Sequence, residues 1–464
     1  PIQYDYQSTL SAITDGLVYE SAAGLIEVDN DGGTAQGSAY GDPAGVLVRF
    51  EYDRDGDSLE TFYDDVSQGT VTWDGNGEAL QIVVGAGGGT GTASFNFGQL
   101  GGLTNTPTAG FVILSTSNLP TPEIIKPSEH FGIDLYTGTT ETHVRANVYD
   151  FPPDFVWIKN RDDATDRHQI IDSVRLATKE LNIDGTDDES TASVGLTSFD
   201  AFGYSLGSGL EYNTLGETYV AWGLLAGGTA ASNTDGSITS SVSANQAAGF
   251  SVVTYTGTGS LGTVGHGLGV APAFIIVKAR TTAGTNMGWY CYHVGLDPTA
   301  PEDKYILVDT SAGAVDAATP WNDTAPTSSV FTVNTHAGVN TSGDTYVAYC
   351  FANVEGMMQC GQYTGNGSTD GPTILCGFRP KFLLIKRVTT TGNWELTDSA
   401  RDVDNPQTAG LRPDETIPEF GANDRDILAN GFKIRNTGGA VNVSSSVYMY
   451  LAIAASPFKY ARAF

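Results

Sequence analysis

The tripeptide Tyr-Thr-Gly occurs at 136–138, 255–257 and 363–365, and a proline stands 17 residues after each tyrosine, at Pro153, Pro272 and Pro380. Each proline opens the same kind of apolar run. These are Phe155-Val156-Trp157-Ile158-Lys159, Phe274-Ile275-Ile276-Val277-Lys278 and Phe382-Leu383-Leu384-Ile385-Lys386. Repetition on this scale leaves few architectures open. The units are far longer than a solenoid turn and of single-domain size, so they read as tandem domains.

Further landmarks recur in order. A His or Trp opens a short segment at His168, Trp289 and Trp394, and a later strand ends each of the stretches 202–206, 329–333 and 430–434. A closing strand follows at 218–222, 345–349 and 447–451. The elements are short, rich in Val, Ile, Tyr, Phe and Trp, and punctuated by Gly, Asn, Asp and Ser, which is the signature of an antiparallel sandwich. The expected fold is therefore all-β: a distinct N-terminal β module (1–119), a Pro-rich linker (120–129), and three jelly-roll-like sandwich repeats at 130–227, 249–355 and 360–464. A second linker (228–248) separates the first two repeats.

The apolar run carries hydrophobic residues on both strand faces, so it reads as a central buried strand ending in a solvated lysine. Its leading proline is expected only as the first residue of the strand, and Tyr-Thr-Gly-Asn-Gly of the third unit reads as the hairpin turn before it. The stretch 167–181 has helical spacing at Ile170, Val174, Ala177 and Leu181. Its partners contain Gly295, Pro298 and Pro406, so it is read as a strand and turn, with at most one helical turn in the first unit. Within 1–119, residues 46–52 and 80–84 read as strands, with 85–91 a glycine-rich connection.

The chain has 23 basic and 53 acidic residues, a net −30. That balance argues against nucleic acid and anionic lipid as partners. The charge is uneven: residues 360–464 hold 11 basic and 10 acidic side chains, so the deficit lies in 1–359. A nearly neutral terminal repeat is where contact with a partner or another copy meets least repulsion. No apolar stretch is long enough to span a membrane. A start at Pro1, without a basic or apolar leader, is expected of a product made in the cytoplasm and freed of its initiator Met. Cys360 and Cys376 align with apolar residues of the other repeats, and Cys291 and Cys350 lie in strand patterns, so all four are expected to be core thiols.

Motifs that suggest chemistry are weak here. Gly56-Asp57-Ser58-Leu59 matches an esterase nucleophile block, and Gly421-Ala422-Asn423-Asp424 a second block of that family, but no histidine has Asp three positions earlier to act as the base. Asp53, Asp55 and Asp57 alternate as in a calcium loop, although Ser58 and Asp64 stand where an EF-hand needs Gly and Glu. Calcium in a β loop stays open there, against a solvated acidic turn, and is the one cofactor the sequence suggests. Gly265-His266-Gly267-Leu268-Gly269 lacks dinucleotide spacing, and Trp321 is read as a core cap rather than a sugar platform.

The runs 153–161, 323–331 and 455–461 resemble those of a β-rich repeat family of uncharacterised function, common in tailed bacteriophages of marine and aquatic bacteria. The resemblance covers about 130–464 and implies a virion protein exposed on tail or capsid, with no catalytic residue to carry over. It leads to a non-enzymatic tail fibre or receptor-binding component, with other virion proteins and a host surface polysaccharide or protein as partners and a homotrimer by analogy with phage fibres. A capsid decoration or head-fibre protein is the alternative, and a polysaccharide-degrading tailspike the enzymatic one.

Overall fold

The computed structural model describes residues 120–281, 287–422 and 424–461, together with five strands within the first 119 residues. The chain divides into two compact units, 1–119 and 120–464. In the first unit Gly16–Glu20 pairs antiparallel with Leu25–Asp29. Val48–Asp53, Ser58–Tyr63 and Val66–Thr72 form a three-stranded meander, which places one expected strand two residues later than read from the sequence. The other expected strand (80–84) and the glycine-rich segment lie outside the described residues.

The second unit is nearly all β. Its three repeats share one plan. A first strand (Phe131–Thr137, Phe250–Thr256, Met358–Thr364) pairs with the closing strand (Thr218–Leu224, Thr345–Phe351, Val447–Pro457). The closing strand pairs on its other side with the apolar strand (Phe155–Asn160, Phe274–Ala279, Phe378–Arg387). Next comes a fourth strand, Gln169–Asp172, Tyr290–His293 or Trp394–Asp398. A smaller sheet, built on Gly203–Leu206, Val330–Val333 or Gly431–Ile434, closes the sandwich.

The double-faced apolarity of the central strands now has its cause. Side chains alternate across a strand. Val156 and Ile158, Ile275 and Val277, and Leu383 and Ile385 each fill the interior of their own sandwich. The opposite faces do not meet solvent. Phe155 and Trp157, Phe274 and Ile276, and Phe382 and Leu384 enter one common core with Trp222, Tyr349 and Leu451 of the closing strands. The repeats are therefore not beads along a shaft: the three large sheets pack face to face around a pseudo-threefold axis. Phe382 shows how tightly they join, its ring lying 5.9 Å from Phe131, 6.0 Å from Trp222 and 6.4 Å from Trp157.

The Tyr-Thr-Gly landmark also gains a reason. Its tyrosine stacks on the first tyrosine of the closing strand in every repeat: Tyr136 on Tyr219 at 4.9 Å, Tyr255 on Tyr346 at 5.1 Å, Tyr363 on Tyr448 at 5.1 Å. Its hydroxyl donates to the carbonyl of Tyr212, Val339 or Val441. One residue further on sits a buried asparagine: Asn213, Asn340 or Asn442. Its Oδ1 accepts from the backbone N–H of Thr139, Thr258 or Asn366, three residues past the landmark tyrosine. Its Nδ2 donates to carbonyls on the far side of the same loop, Gly207, Asn334 and Asn436 among them. A buried amide with all its polar atoms satisfied fixes two loops at once.

Several expectations are corrected. The landmark turn is not a hairpin, because it carries the chain from the large sheet to the small one; in the third repeat Thr373–Leu375 pairs with Gly431–Ile434. Pro380 lies inside its strand at a register irregularity, where a bulge removes the need for its N–H. The stretch 167–181 holds strands and a turn, as expected, but helical turns occur elsewhere, at Leu210–Asn213, Ala318–Trp321 and Ala337–Asn340. Residues 228–248 carry the strands Ala231–Asn233 and Ser240–Asn245, which extend the large sheet of the second repeat. Ile124 of the stretch read as a Pro-rich linker is buried in the common core.

A shared core makes the three repeats one cooperative unit. Truncating Phe382 to Ala removes contacts in two repeats and is expected to cost about 3–5 kcal/mol, while chemical denaturation of 120–464 stays a single transition. Separate transitions for the repeats would show that the common core is not what holds them.

Candidate functional site

The lysine that ends each apolar strand is fully buried, not solvated. Lys278 Nζ donates to the carbonyl of Met287 at 2.6 Å and, across the boundary into the first repeat, to that of Thr186 at 2.9 Å. Lys386 does the same with Gly392 and with Thr310 of the second repeat. Lys159 stays within its own repeat, donating to the backbone carbonyls of Asp166 and Asp163. Burial pulls all three amines down to about 8 from the ordinary lysine range, and a carboxylate opposes the shift in each. Asp184, Asp309 and Asp414 are the equivalent carboxylates. They accept from the backbone N–H of His168, Trp289 and Trp394, and burial raises each above the usual carboxylate range.

The indoles cross the same boundaries. Trp289 Nε1 donates to Asn182 O of the first repeat at 2.9 Å, and Trp394 Nε1 to Leu307 O of the second at 3.0 Å. His168, in the equivalent place, accepts from Trp157 Nε1 at 3.0 Å and lies against the backbone of Arg412 of the third repeat. The backbone repeats this cycle: Glu189 N–H to Arg280 O, Ala314 N–H to Val388 O, and Glu419 N–H to Arg161 O. The third repeat thus meets the first through the contacts that join first to second, and the ring closes within one chain.

Two of the three seams are ionic. At the first, Asp172 holds Arg175 and accepts from Tyr349 Oη of the second repeat at 2.7 Å. Glu189 bridges Arg175 and Arg280. At the closing seam Asp398 holds Arg401 and accepts from Trp222 Nε1 of the first repeat at 3.1 Å, and Glu419 bridges Arg401 and Arg161. The middle seam is nearly uncharged. There His293 stands in the place of the aspartates; its Nδ1 accepts from Gly295 N–H, so its Nε2 donates to Tyr450 O at 3.1 Å. Burial lowers this imidazole to about 3, which keeps it neutral.

Within the third repeat Glu395 faces Arg412 Nε at 3.2 Å, while Arg425 forms a two-pronged pair with Asp424 at 2.5 and 2.7 Å. Burial outweighs both guanidiniums and pushes Glu395 up to about 7. On the axis itself lies a cavity of about 30 Å³ with an entirely apolar lining drawn from all three repeats, including Trp157, Ile276 and Leu384. It has room for a water-sized occupant and offers it no hydrogen bond.

Of the sequence-derived calcium candidates, only Asp53 lies among the described residues. Asp53 ends its strand opposite Ser58, and Asp55 and Asp57 lie outside the described residues. Among the described residues no group of three His, Cys, Asp or Glu could hold a metal ion. Ser58 and Asp424, from the two esterase-like blocks, belong to different units, and Asp424 is committed to Arg425. His266 is buried, its Nδ1 accepting from Leu268 N–H and its Nε2 donating to Thr327 O. Trp321 is buried in the core of the second sandwich, as read. All four cysteines are free and buried, and burial raises each thiol, Cys350 and Cys376 to about 12, so they behave as core hydrophobes. Missed from the sequence were the asparagine six residues before each closing-strand tyrosine and the Asp-x-x-Arg pairs 172–175 and 398–401. Both are visible once the repeats are aligned.

This geometry defines an all-β chain of three sandwich repeats closed on a common core. A family model described as a domain of unknown function, DUF7483, matches residues 126–457, and the chain belongs to that family. The match runs from just before the first repeat to the end of the last closing strand, so the family's unit is the whole ring. No curated protein matches the sequence.

Two substitutions probe these networks. Glu419→Ala leaves Arg401 and Arg161 without their shared carboxylate and is expected to cost about 3 kcal/mol in denaturation. Glu395 binds its proton more tightly folded than unfolded, so its contribution is present below about pH 4.5 and is lost as pH rises through about 7. Glu395→Gln should therefore match wild type in stability near pH 4 and exceed it by on the order of 3 kcal/mol above pH 7. Parallel stability curves for the two proteins would refute this.

Proposed function

We propose that this chain is a non-enzymatic structural protein of a tailed-phage virion, acting in host attachment as a tail fibre or receptor-binding component. The observation that carries the reading is the closed ring. Three copies of one sandwich on a single rigid core hold three equivalent sets of loops in fixed relation, an arrangement suited to multivalent contact with a repetitive cell surface. The acidic balance fits a solvated, displayed surface. The motif resemblance supplies the virion setting, with a host polysaccharide or surface protein as the partner class. The threefold core that a trimeric fibre would assemble from three chains is here built from one, so trimerisation is not needed to bury it.

Competition tests this directly. Host cells preincubated with purified full-length chain should adsorb phage about tenfold less, and immunolabelling should place the chain on the tail. Labelling confined to the head, with adsorption unchanged, would favour the decoration protein instead. Release of oligosaccharides from host polysaccharide would overturn the non-enzymatic reading.

A further inference from the structure

The first strand of each repeat pairs with the closing strand on its inner side, which leaves its outer side to be accounted for. Backbone groups of successive residues point to opposite sides of a strand, and the bonds at the ends of each pairing fix which residues face outward. In the first repeat Gly138 N–H donates to Glu217 O and Leu225 N–H to His130 O, so Ile133 and Leu135 turn their amides and carbonyls outward. In the third, Gly365 N–H donates to Ser446 O and Ala454 N–H to Met357 O, which turns Met358, Cys360 and Gln362 outward. A row of such groups left open is a template for a strand from another molecule.

The three repeats occupy this row with different chemistry. In the second, Ser240–Asn245 lies along it as an extra antiparallel strand, with Asn245, Ser243 and Ser241 opposite Phe250, Val252 and Thr254. In the first, a buried charge pair supplies the cover: Arg145, held by Asp134, reaches Leu135 O with Nη2 at 3.4 Å. In the third, Met358–Thr364 is the last strand of its sheet among the described residues. There Val354 exchanges both backbone bonds with Met358, and the exposed side chain of Asn353 takes both groups of Cys360. Its Oδ1 accepts from Cys360 N–H at 2.6 Å, and its Nδ2 donates to Cys360 O at 3.3 Å. Gln359 Nε2 adds a second donor to that carbonyl at 3.1 Å. A side-chain amide has the donor and acceptor of a peptide group, so one asparagine does at Cys360 what a strand does at Val252.

We propose that Asn353 is an edge seal, which denies the outer side of Met358–Thr364 to the same strand of a second copy of this chain. Another copy is the partner to be excluded because antiparallel pairing about a twofold axis needs only one strand, present on both molecules. With the outward groups of both strands in register, Cys360 of each copy would stand opposite Gln362 of the other. No continuous ladder forms while the N–H and C=O of Cys360 are already taken. The third repeat is also where such a seal matters most: residues 360–464 hold 11 basic and 10 acidic side chains, so net charge does not keep two of these edges apart. The inference does not depend on a virion role.

Hydrogen exchange and sedimentation of the full-length chain test it together. In dilute Asn353→Ala the Cys360 amide should exchange about tenfold faster than in wild type, the effect of losing one hydrogen bond. Exchange at Val252, which a true strand covers, should stay unchanged and shows that the variant is folded. At about 100 µM the variant should sediment as a dimer and regain protection at Cys360 and Gln362, while wild type stays monomeric. Adding Gln362→Pro to Asn353→Ala should restore the monomer, because proline has no N–H to offer a partner and the strand's own ladder does not use that one. Unchanged exchange at Cys360 in Asn353→Ala overturns the proposal. So does an Asn353→Ala chain that stays monomeric, or a double variant that still dimerises.

Discussion

A β-strand that is hydrophobic on both faces has to be covered on both, and one small sandwich can cover only one of them. The apolar and closing strands of each repeat are in that position. The rest of the ring follows from how the second face is hidden. Three such faces turned inward make a core no single repeat could build, and the aromatic rings of Phe155, Phe274 and Phe382 lie at equivalent places within it. Once the sheets converge, the ends of the strands meet the neighbouring repeat. The lysines, indoles and carboxylates at those ends then become seam contacts.

The seams divide the work between charge and packing. Burying ions is costly unless each finds partners, and the two ionic seams meet that condition with chains of alternating sign: Asp172, Arg175, Glu189, Arg280 at one, Asp398, Arg401, Glu419, Arg161 at the other. The middle seam replaces the pattern with His293, Leu296, Ala314 and Val388. It keeps the backbone bond, the indole and lysine bonds to carbonyls and one imidazole–carbonyl bond, and dispenses with ion pairs. Equivalent geometry held by different chemistry is what gene-internal duplication followed by divergence leaves behind.

Much of the fold was legible in the residues. Strand type, repeat order and the positions of the later and closing strands follow from period-two patterning and turn chemistry; the structure starts each within a residue of the reading, although the third closing strand runs on to Pro457. The core roles of Trp321 and the cysteines followed from repeat alignment. What misled was the lysine after each apolar run. A charged residue at a strand end is normally solvated, but folded-back loop carbonyls hold all three amines inside, joined at Lys278 and Lys386 by one carbonyl from the neighbouring repeat. Pro380 misled for a local reason, since a bulge cannot be read from one chain.

By itself, then, the sequence determined that this protein is made of one β unit used three times, with strands too apolar to be left half exposed. It could not say where the second apolar face goes. Tandem sandwiches on a shaft and a closed ring have the same local pattern, because strand propensity and turn chemistry act over a few residues whereas the ring is made by contacts such as Arg161 with Glu419, 258 residues apart. Tertiary structure decided that, through the gain from burying three faces together and the need to pair every charge that the burial carried with it.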